Sequence, residues 1–195
     1  MAARLMRLRA VIAVVVAAVL LGGCSDEPKK AAPNPIPTAD TAHNDTDVMF
    51  LQMMVGHHRQ GLQLTTLAAQ RAVRPEVKEL AAAIRVTESE EVRMMTAWLA
   101  AWSRPDVPPD THDGHVNHGG QPAVGPEQVA GLAGMSGTAF DTEFLALMAG
   151  HQGAAVEMVG LVTSGGQNPQ TRELAERIGK ARQGQVAMMI RLMNA

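Results

Sequence analysis

The sequence predicts an all-α protein in which two similar helical hairpins form a four-helix bundle. Residues 47–101 align without a gap on residues 141–195, at a constant offset of 94 positions, the distance from His57 to His151. Self-similarity of this length is typical of one structural unit used twice and packed against its copy. Apolar residues recur at helical spacing in both halves, and no segment alternates apolar and polar residues as a strand would.

The first residues predict export from the cytoplasm. Residues 1–23 combine arginines with an apolar run at 10–21, which is the length of a signal-peptide core and short for a membrane span. The run ends in Leu-Gly-Gly before Cys24, an arrangement that favours a bacterial lipoprotein signal over an ordinary secretory signal with an incidental cysteine. A lipidated Cys24 would anchor the mature chain at the extracytoplasmic face of the cell membrane and leave it without a thiol.

The rest of the chain divides into a tether and one domain. Residues 24–44 are rich in proline and predict an extended tether that holds the domain off a membrane surface. The bundle then covers residues 45–195, as a first repeat at 45–102, a His-rich linker at 103–136 and a second repeat at 137–195. A net charge of −2 gives no basic surface for nucleic acid.

Start and stop signals place four long helices. The first runs from about 45 to 73, with Asp45 or Thr46 able to cap it, and Pro75 opens the second, which ends near 102. A short helix is expected near 127–132 within the linker. The third long helix starts between 136 and 141 and runs to about 163, and Asn168 with Pro169 opens the fourth, which continues to about 193.

Histidine and methionine recur at the same places in both repeats and indicate a soft metal. Met54 lies three residues before His57, as Met148 lies three before His151, so each pair shares a helix face. In a helical hairpin, residues equally far before and after the turn lie at the same level. By this reflection about the turn, methionines of the partner helix lie level with each Met-His pair. Thioethers with imidazoles and no thiolate favour Cu(I), whereas the alternative is a methionine-rich core with hydrogen-bonded histidines. The candidate ligands are Met53, Met54, His57, Met94, Met95, Met148, His151, Met188 and Met189.

His58 lies beside these candidate ligands but on a different face of the helix. It points about 100° around the helix from His57, and its counterpart in the second repeat is Gln152. It either joins Met54 in a second site or faces water.

Two carboxylates fall on the buried stripe of the second helix. Glu91, which the reflection places level with His57, either accepts its proton and fixes its tautomer or lies at a solvated rim, paired with Arg85 or Arg59. Glu88 could pair with Arg182 across the bundle. The second repeat has no matching carboxylates, so any role of a carboxylate beside the histidines is confined to the first repeat.

The linker carries a separate histidine cluster. His112, His115 and His118 are spaced by three in a Gly-rich setting. Three imidazoles within reach can bind Cu(II), Zn(II) or Ni(II), and Asp113 could add an oxygen ligand. The alternative is a polar linker whose histidines are incidental.

The sequence resembles a bacterial family called domain of unknown function 305. The resemblance rests on Asp47-Val-Met-Phe-Leu-Gln-Met-Met-Val-Gly-His-His, on Pro75-Glu-Val-Lys-Glu-Leu and on the second copy of this pattern. It implies a ferritin-like four-helix bundle, frequent export to the cell envelope, and copper binding and tolerance in some members. The ligands that the resemblance implies are Met54, His57, Met94, Met95, Met148, His151, Met188 and Met189. The chain departs from the family at Gln152, where members often have a second His-His pair.

Three functions compete. The favoured one is a lipid-anchored envelope protein, not an enzyme, that binds Cu(I) as a buffer or carrier and exchanges it with other copper-handling proteins. A structural or partner-binding lipoprotein without metal is the alternative. A di-iron oxidase is disfavoured, because such bundles carry Glu three residues before His, where this chain has Met54 and Met148.

Overall fold

A computed structural model describes residues 35–106 and 124–195. The predicted signal peptide, Cys24 and the first part of the tether lie outside the described residues. So do the linker histidines His112, His115 and His118.

The described residues form five helices, and the predicted all-α fold is confirmed. The helices are α1 Asp45–Arg71, α2 Pro75–Ala101, α3 Pro126–Ala133, α4 Gly137–Gly165 and α5 Pro169–Met193. Asn44, one position earlier than expected, caps α1 in a capping box with Asp47. Proline occupies the first turn of α2, α3 and α5, where its missing N–H costs no helical hydrogen bond.

The long helices pair as two hairpins that run head to tail. α1 packs on α2, α4 packs on α5, and α1 also packs on α4. Asp47 at the start of α1 contacts the turn between α4 and α5, whereas Asp141 at the start of α4 contacts the turn between α1 and α2. α1 and α4 are therefore antiparallel. α3, which lies within the predicted linker, packs beside α4.

Two apolar clusters fill the bundle, one toward each end. The first combines the starts of α1 and α5 with the ends of α2 and α4, and it includes Met54 and Met95. The second takes the opposite halves of the same helices and includes Met148 and Met189. Polar and ionisable side chains separate the two clusters at mid-height, and we call this group the central polar layer. Its members are His57, His58, Glu88, Glu91, His151, Gln152, Arg182 and Gln185.

The last residues of the predicted tether lie against the bundle, so the tether prediction is wrong for this part. The indole N–H of Trp98 donates to the Pro37 carbonyl at 3.0 Å, and that of Trp102 donates to the Asp40 carbonyl at 2.8 Å. His43 stacks on Trp102 with ring centroids 4.3 Å apart. Apolar side chains of the same segment pack on the first cluster. The folded domain therefore begins near residue 36, and we call residues 36–43 the strap.

Among the described helices, α4 alone has the length and apolar composition of a membrane span, with 29 residues and a mean hydropathy of 1.3 in its most apolar stretch. These properties have another explanation in this fold. α4 is the helix that contacts both α1 and α5, and it supplies buried residues to both apolar clusters. Its composition is that of a central bundle helix.

Candidate metal centre

The central polar layer fixes the register of both hairpins. In the first, His58 Nε2 lies 2.7 Å from Glu91 Oε2, and in the second, the Gln152 side-chain amide donates to Gln185 Oε1 at 2.9 Å. These two pairs occupy equivalent positions of the two repeats. Reflection about the turns predicts that His57 lies level with Glu91 and His151 with Gln185. The observed partners are the next residues along α1 and α4, so both predicted registers are right to within one position.

This register sets the methionines level in pairs. One helical turn from the His58–Glu91 contact, Met54 on α1 is level with Met95 on α2. Both side chains are fully buried and belong to the first apolar cluster. Met148 and Met189 hold the equivalent places in the second cluster and are also fully buried. Each hairpin therefore carries a buried pair of thioethers next to the central polar layer.

His58 neither faces water nor stands alone. It is fully buried, its Nε2 contacts Glu91, and the Arg182 guanidinium donates to the same carboxylate oxygen. The prediction that Glu91 accepts from His57 is wrong, because the side chain that reaches it is His58. The rim alternative is wrong as well, since the partner is Arg182 and Arg59 pairs with Asp106.

Burial controls the charge of this pair. Burial lowers the pKa of His58 and outweighs the neighbouring Glu91 carboxylate, which raises it, so the ring is neutral. Burial alone would raise the pKa of Glu91, but the hydrogen bond from His58 and the Arg182 charge together hold it below its usual value. His58 Nδ1 is buried with no hydrogen-bond partner.

His57 and His151 stack on one another where α1 crosses α4. Their ring centroids are 3.7 Å apart at 14°, and His57 Nε2–H donates to the His151 carbonyl at 3.0 Å. Burial, aided by the neighbouring ring, lowers the pKa of His57 to about 2, and burial lowers that of His151 to about 4. Both rings are therefore neutral. His57 Nδ1 and both ring nitrogens of His151 are buried without a hydrogen-bond partner.

Glu88 lies at the centre of the layer, and its predicted proximity to Arg182 is confirmed. Glu88 Oε1 is 3.8 Å from the guanidinium and accepts from the Gln152 side chain at 3.1 Å. Burial raises the pKa of Glu88 to about 7 despite that charge. Its other oxygen and His151 Nε2 both border the space beside Gly61, where a Cβ would lie 2.3 Å from the first and 3.0 Å from the second.

The remaining predicted ligands are not part of either buried thioether pair. Met94 is partly buried against the first apolar cluster, and Met53 is half-buried and belongs to neither cluster. Met188 is 42% exposed, and the Arg191 guanidinium contacts its sulfur at 3.6 Å. Within residues 35–106 and 124–195, no three His, Asp or Glu side chains converge on one point.

Sequence reasoning missed the role of two residues, one in this layer and one beside it. Arg182 contacts His58 and Glu91 in addition to its predicted partner Glu88. The available signal was the change of charge between repeats, with arginine at the position equivalent to Glu88. The other is Gly61, whose lack of a Cβ allows Glu88 and His151 to approach α1.

The fold and the site define a class of head-to-tail helical hairpin pairs with imidazoles and thioethers in the interior. The chain belongs to the family described as Domain of unknown function (DUF305), which it matches over residues 47–193. No curated protein matches the chain by sequence.

Three solved structures illustrate the likeness. A DUF305 fragment from Deinococcus radiodurans is 27% identical, with a TM-score of 0.68 over 81% of this chain and 99% of that one. A DUF305 protein from Streptomyces coelicolor is 25% identical, with a TM-score of 0.67 over 75% of this chain and 89% of that one. CopM in its Cu(II)-bound form is 27% identical, with a TM-score of 0.64 over 76% of this chain and 95% of that one. CopM has also been solved in Cu(I)-bound and Ag-bound forms.

Proposed function

We propose that this protein binds copper, as Cu(I), through buried thioethers and imidazoles, and acts as a copper buffer or carrier. The observation that carries the proposal is a buried methionine pair that recurs in both repeats, with an imidazole near it in each. Each hairpin buries a level methionine pair within one helical turn of a neutral imidazole that has an unpartnered nitrogen.

The donor chemistry fits the ion. Cu(I) prefers soft sulfur and imidazole donors, and the first hairpin offers Met54, Met95 and His58, which lies one turn from Met54 on the same helix. The second hairpin offers Met148, Met189 and His151, which follows Met148 by three residues. A neutral imidazole can bind without first losing a proton. Copper would cross-link the two helices of a hairpin by binding to side chains from both.

The comparison with CopM supports the choice of metal. CopM has the same fold at 27% identity and has been solved with Cu(II). Its silver-bound form, at 26% identity, fits a soft-donor site, because Ag(I) shares the preference of Cu(I) for sulfur.

The wider setting is also part of the proposal. We infer that the chain is exported, lipidated at Cys24 and held at the extracytoplasmic face of the cell membrane, where it exchanges copper with other envelope proteins and catalyses no reaction. The Leu-Gly-Gly-Cys sequence after an apolar run supports the anchor. Replacement of Cys24 by Ser should release the protein from the membrane fraction, and retention there would contradict lipidation.

A competition titration tests the metal. The purified protein is titrated with Cu(I) against a coloured Cu(I) chelator under reducing conditions, and we expect it to take copper from the chelator. Met54→Leu with Met95→Leu should remove one of two binding equivalents, and Met148→Leu with Met189→Leu should remove the other. Leucine keeps the volume of methionine and spares the core, so each loss reports on sulfur.

Matched variants separate sulfur at these positions from methionine content in general. Met193→Leu removes a thioether that is 39% exposed and lies at the end of α5, and it should bind copper like the wild type. Failure of the wild type to compete with the chelator would overturn the proposal and favour a partner-binding lipoprotein. Unchanged binding in both core double variants would exclude these thioethers as ligands.

A further inference from the structure

His58 is the one histidine of the central polar layer that meets a carboxylate and a guanidinium together. Its Nε2 lies 2.7 Å from Glu91 Oε2 and 3.1 Å from the nearest Arg182 nitrogen. A neutral imidazole nitrogen either donates or accepts, and a guanidinium only donates. Nε2 therefore cannot satisfy both neighbours at once, and the surroundings decide which tautomer is present.

The contacts favour the tautomer with its proton on Nε2. A carboxylate oxygen at 2.7 Å needs a donor, and a lone pair on Nε2 facing it would be repelled. Arg182 does not need Nε2 as an acceptor, because the same guanidinium nitrogen donates to Glu91 Oε2. With the proton on Nε2, the lone pair is on Nδ1, the buried nitrogen that has no partner.

Arg182 is needed to keep Glu91 in place. The Glu91 side chain is 12% exposed, so water lies within its reach, whereas the side chains of His58 and Arg182 are fully buried. A carboxylate in this position gains more from solvent than from a neutral ring. The guanidinium charge offsets that gain and keeps the carboxylate inside, against His58.

We propose that Arg182, a residue of the second repeat, is a positioning residue for the metal-binding imidazole of the first repeat. It acts through Glu91, which fixes the His58 proton on Nε2 and reserves the Nδ1 lone pair for a metal ion. Metal-binding histidines commonly donate their other N–H to a carboxylate, and loss of such a partner typically weakens metal binding about 10–100-fold. The metal part of this inference rests on the proposed copper function, whereas the tautomer part does not.

The second repeat has no equivalent arrangement of an imidazole, a carboxylate and an arginine. Gln152 and Gln185 occupy the places of His58 and Glu91 and bond to each other. His151, the imidazole available to the second methionine pair, has no hydrogen bond at either ring nitrogen. Only the first site therefore has an oriented imidazole, and it is built from residues of both repeats.

The test reads the tautomer directly, in protein without metal. The ¹⁵N chemical shifts of the His58 ring, assigned with a His58→Gln variant, distinguish protonated from unprotonated nitrogens. We expect the wild type to have Nε2–H and bare Nδ1, and Arg182→Gln to give averaged shifts from both tautomers. Arg182→Lys keeps the charge and should restore much of the wild-type pattern. Arg177→Gln, an exposed change on the same helix, should leave the pattern unchanged.

Copper binding by the first site is then measured in a Met148→Leu, Met189→Leu background. There, Arg182→Gln should weaken Cu(I) binding about 10–100-fold, with Lys giving an intermediate value. Glu91→Leu, which removes the acceptor, is a second route to the same result if Arg182→Gln does not fold. Nδ1–H in the wild type, or an unchanged tautomer in both Arg182→Gln and Glu91→Leu, would overturn the inference. If the wild type has the expected tautomer but takes no copper, the proposed function fails and the positioning of the ring by Arg182 stands.

Discussion

Asp47 and Asp141 each cap the turn of the other helical hairpin. Asp47 Oδ2 accepts from the backbone N–H groups of Gln167 and Asn168, both at 3.0 Å. The carboxylate of Asp141 accepts from the N–H groups of the two residues before Pro75, at 3.1 and 2.8 Å. These amides immediately precede helices that begin with proline, and the two aspartates give them charged acceptors. The contacts tie each repeat to the other at both ends of the bundle.

Replacement of either aspartate by alanine should destabilise the whole bundle. Each change leaves backbone N–H groups without a charged acceptor, so we expect a loss of about 2–3 kcal/mol in the free energy of unfolding. Urea denaturation measures it. Asp45→Ala is the control, because that side chain is 95% exposed and should cost less than about 0.5 kcal/mol. An equal effect of all three changes would contradict the reciprocal capping.

Gly61 and Gly56 should respond to alanine in opposite directions. A Cβ at Gly61 would lie 2.3 Å from a Glu88 oxygen in the packed centre, so we expect a loss of about 1–3 kcal/mol. Gly56 is exposed on the same helix, with no heavy atom within 4 Å of a Cβ there, and alanine should stabilise the protein by about 1 kcal/mol. Thermal unfolding measures the change in Tm of each variant relative to the wild type. An increase in Tm for Gly61→Ala would contradict the close approach of Glu88.

Acid should unfold the metal-free protein through its buried histidines. The pKa of His151 is lowered by burial to about 4, and that of His57 by burial to about 2, from 6.5 in both cases. A group with a lowered pKa contributes its full stability above the unfolded value and loses it as the pH falls. We expect about 2 kcal/mol lost per histidine between pH 6.5 and pH 5. Urea denaturation over this range measures the slope, and a flat profile would contradict neutral buried rings.

Glu88 should partly offset the loss of stability that the buried histidines cause in acid. Its pKa is raised by burial to about 7 from 4.5, so the folded protein takes up a proton that the unfolded chain does not, and stability from this group rises as the pH falls from 7 to 5. Glu88→Gln removes this gain. Between pH 7 and pH 5, the free energy of unfolding of the variant should fall by about 2 kcal/mol more than that of the wild type. A shallower loss in the variant would mean that Glu88 is ionised in the folded protein throughout.

The strap should loosen in Asn168→Asp. Asn168 is buried, its side-chain N–H donates to the Ala42 carbonyl at 2.7 Å, and its oxygen accepts from the Thr171 N–H. Aspartate keeps the oxygen acceptor that caps α5, but its second oxygen replaces the N–H donor and faces the Ala42 carbonyl. We expect this change to cost about 1–3 kcal/mol of stability. Tryptophan emission should move to longer wavelength as water reaches Trp102. Gln170→Glu loses a similar bond at the exposed edge and should show little change.

The sequence predicted the helices and the hairpin register well because these depend on local signals. Proline in the first turn and recurrent apolar spacing both act within one hairpin, and the fixed offset between repeats places the same signals in the second hairpin. The contacts of Arg182 with Glu88 and Glu91 depend instead on how the two hairpins dock, which no local pattern encodes. Whether His57 or His58 reaches Glu91 depends on the rotation of α1 about its own axis, because the two side chains point about 100° apart. Reflection about a turn does not resolve that rotation.

The strap escaped prediction for a different reason. Its composition, rich in proline and small residues, is that of a linker, and nothing within it forms a regular element. What holds residues 36–43 is a set of donors elsewhere in the chain, including the indoles of Trp98 and Trp102 and the amide of Asn168. Such a segment is ordered by its neighbours, so its own sequence carries little signal.

The central polar layer also restricts how the helices can slide past one another. Apolar stripes alone would let a helix slip by one turn and bury much the same surface. Here, a one-turn slip of α5 against α2 would carry Arg182 away from both glutamates and strand a buried charge, at a cost of about 3–5 kcal/mol. The layer thereby selects a single alignment in a chain whose halves are similar enough to be mispaired.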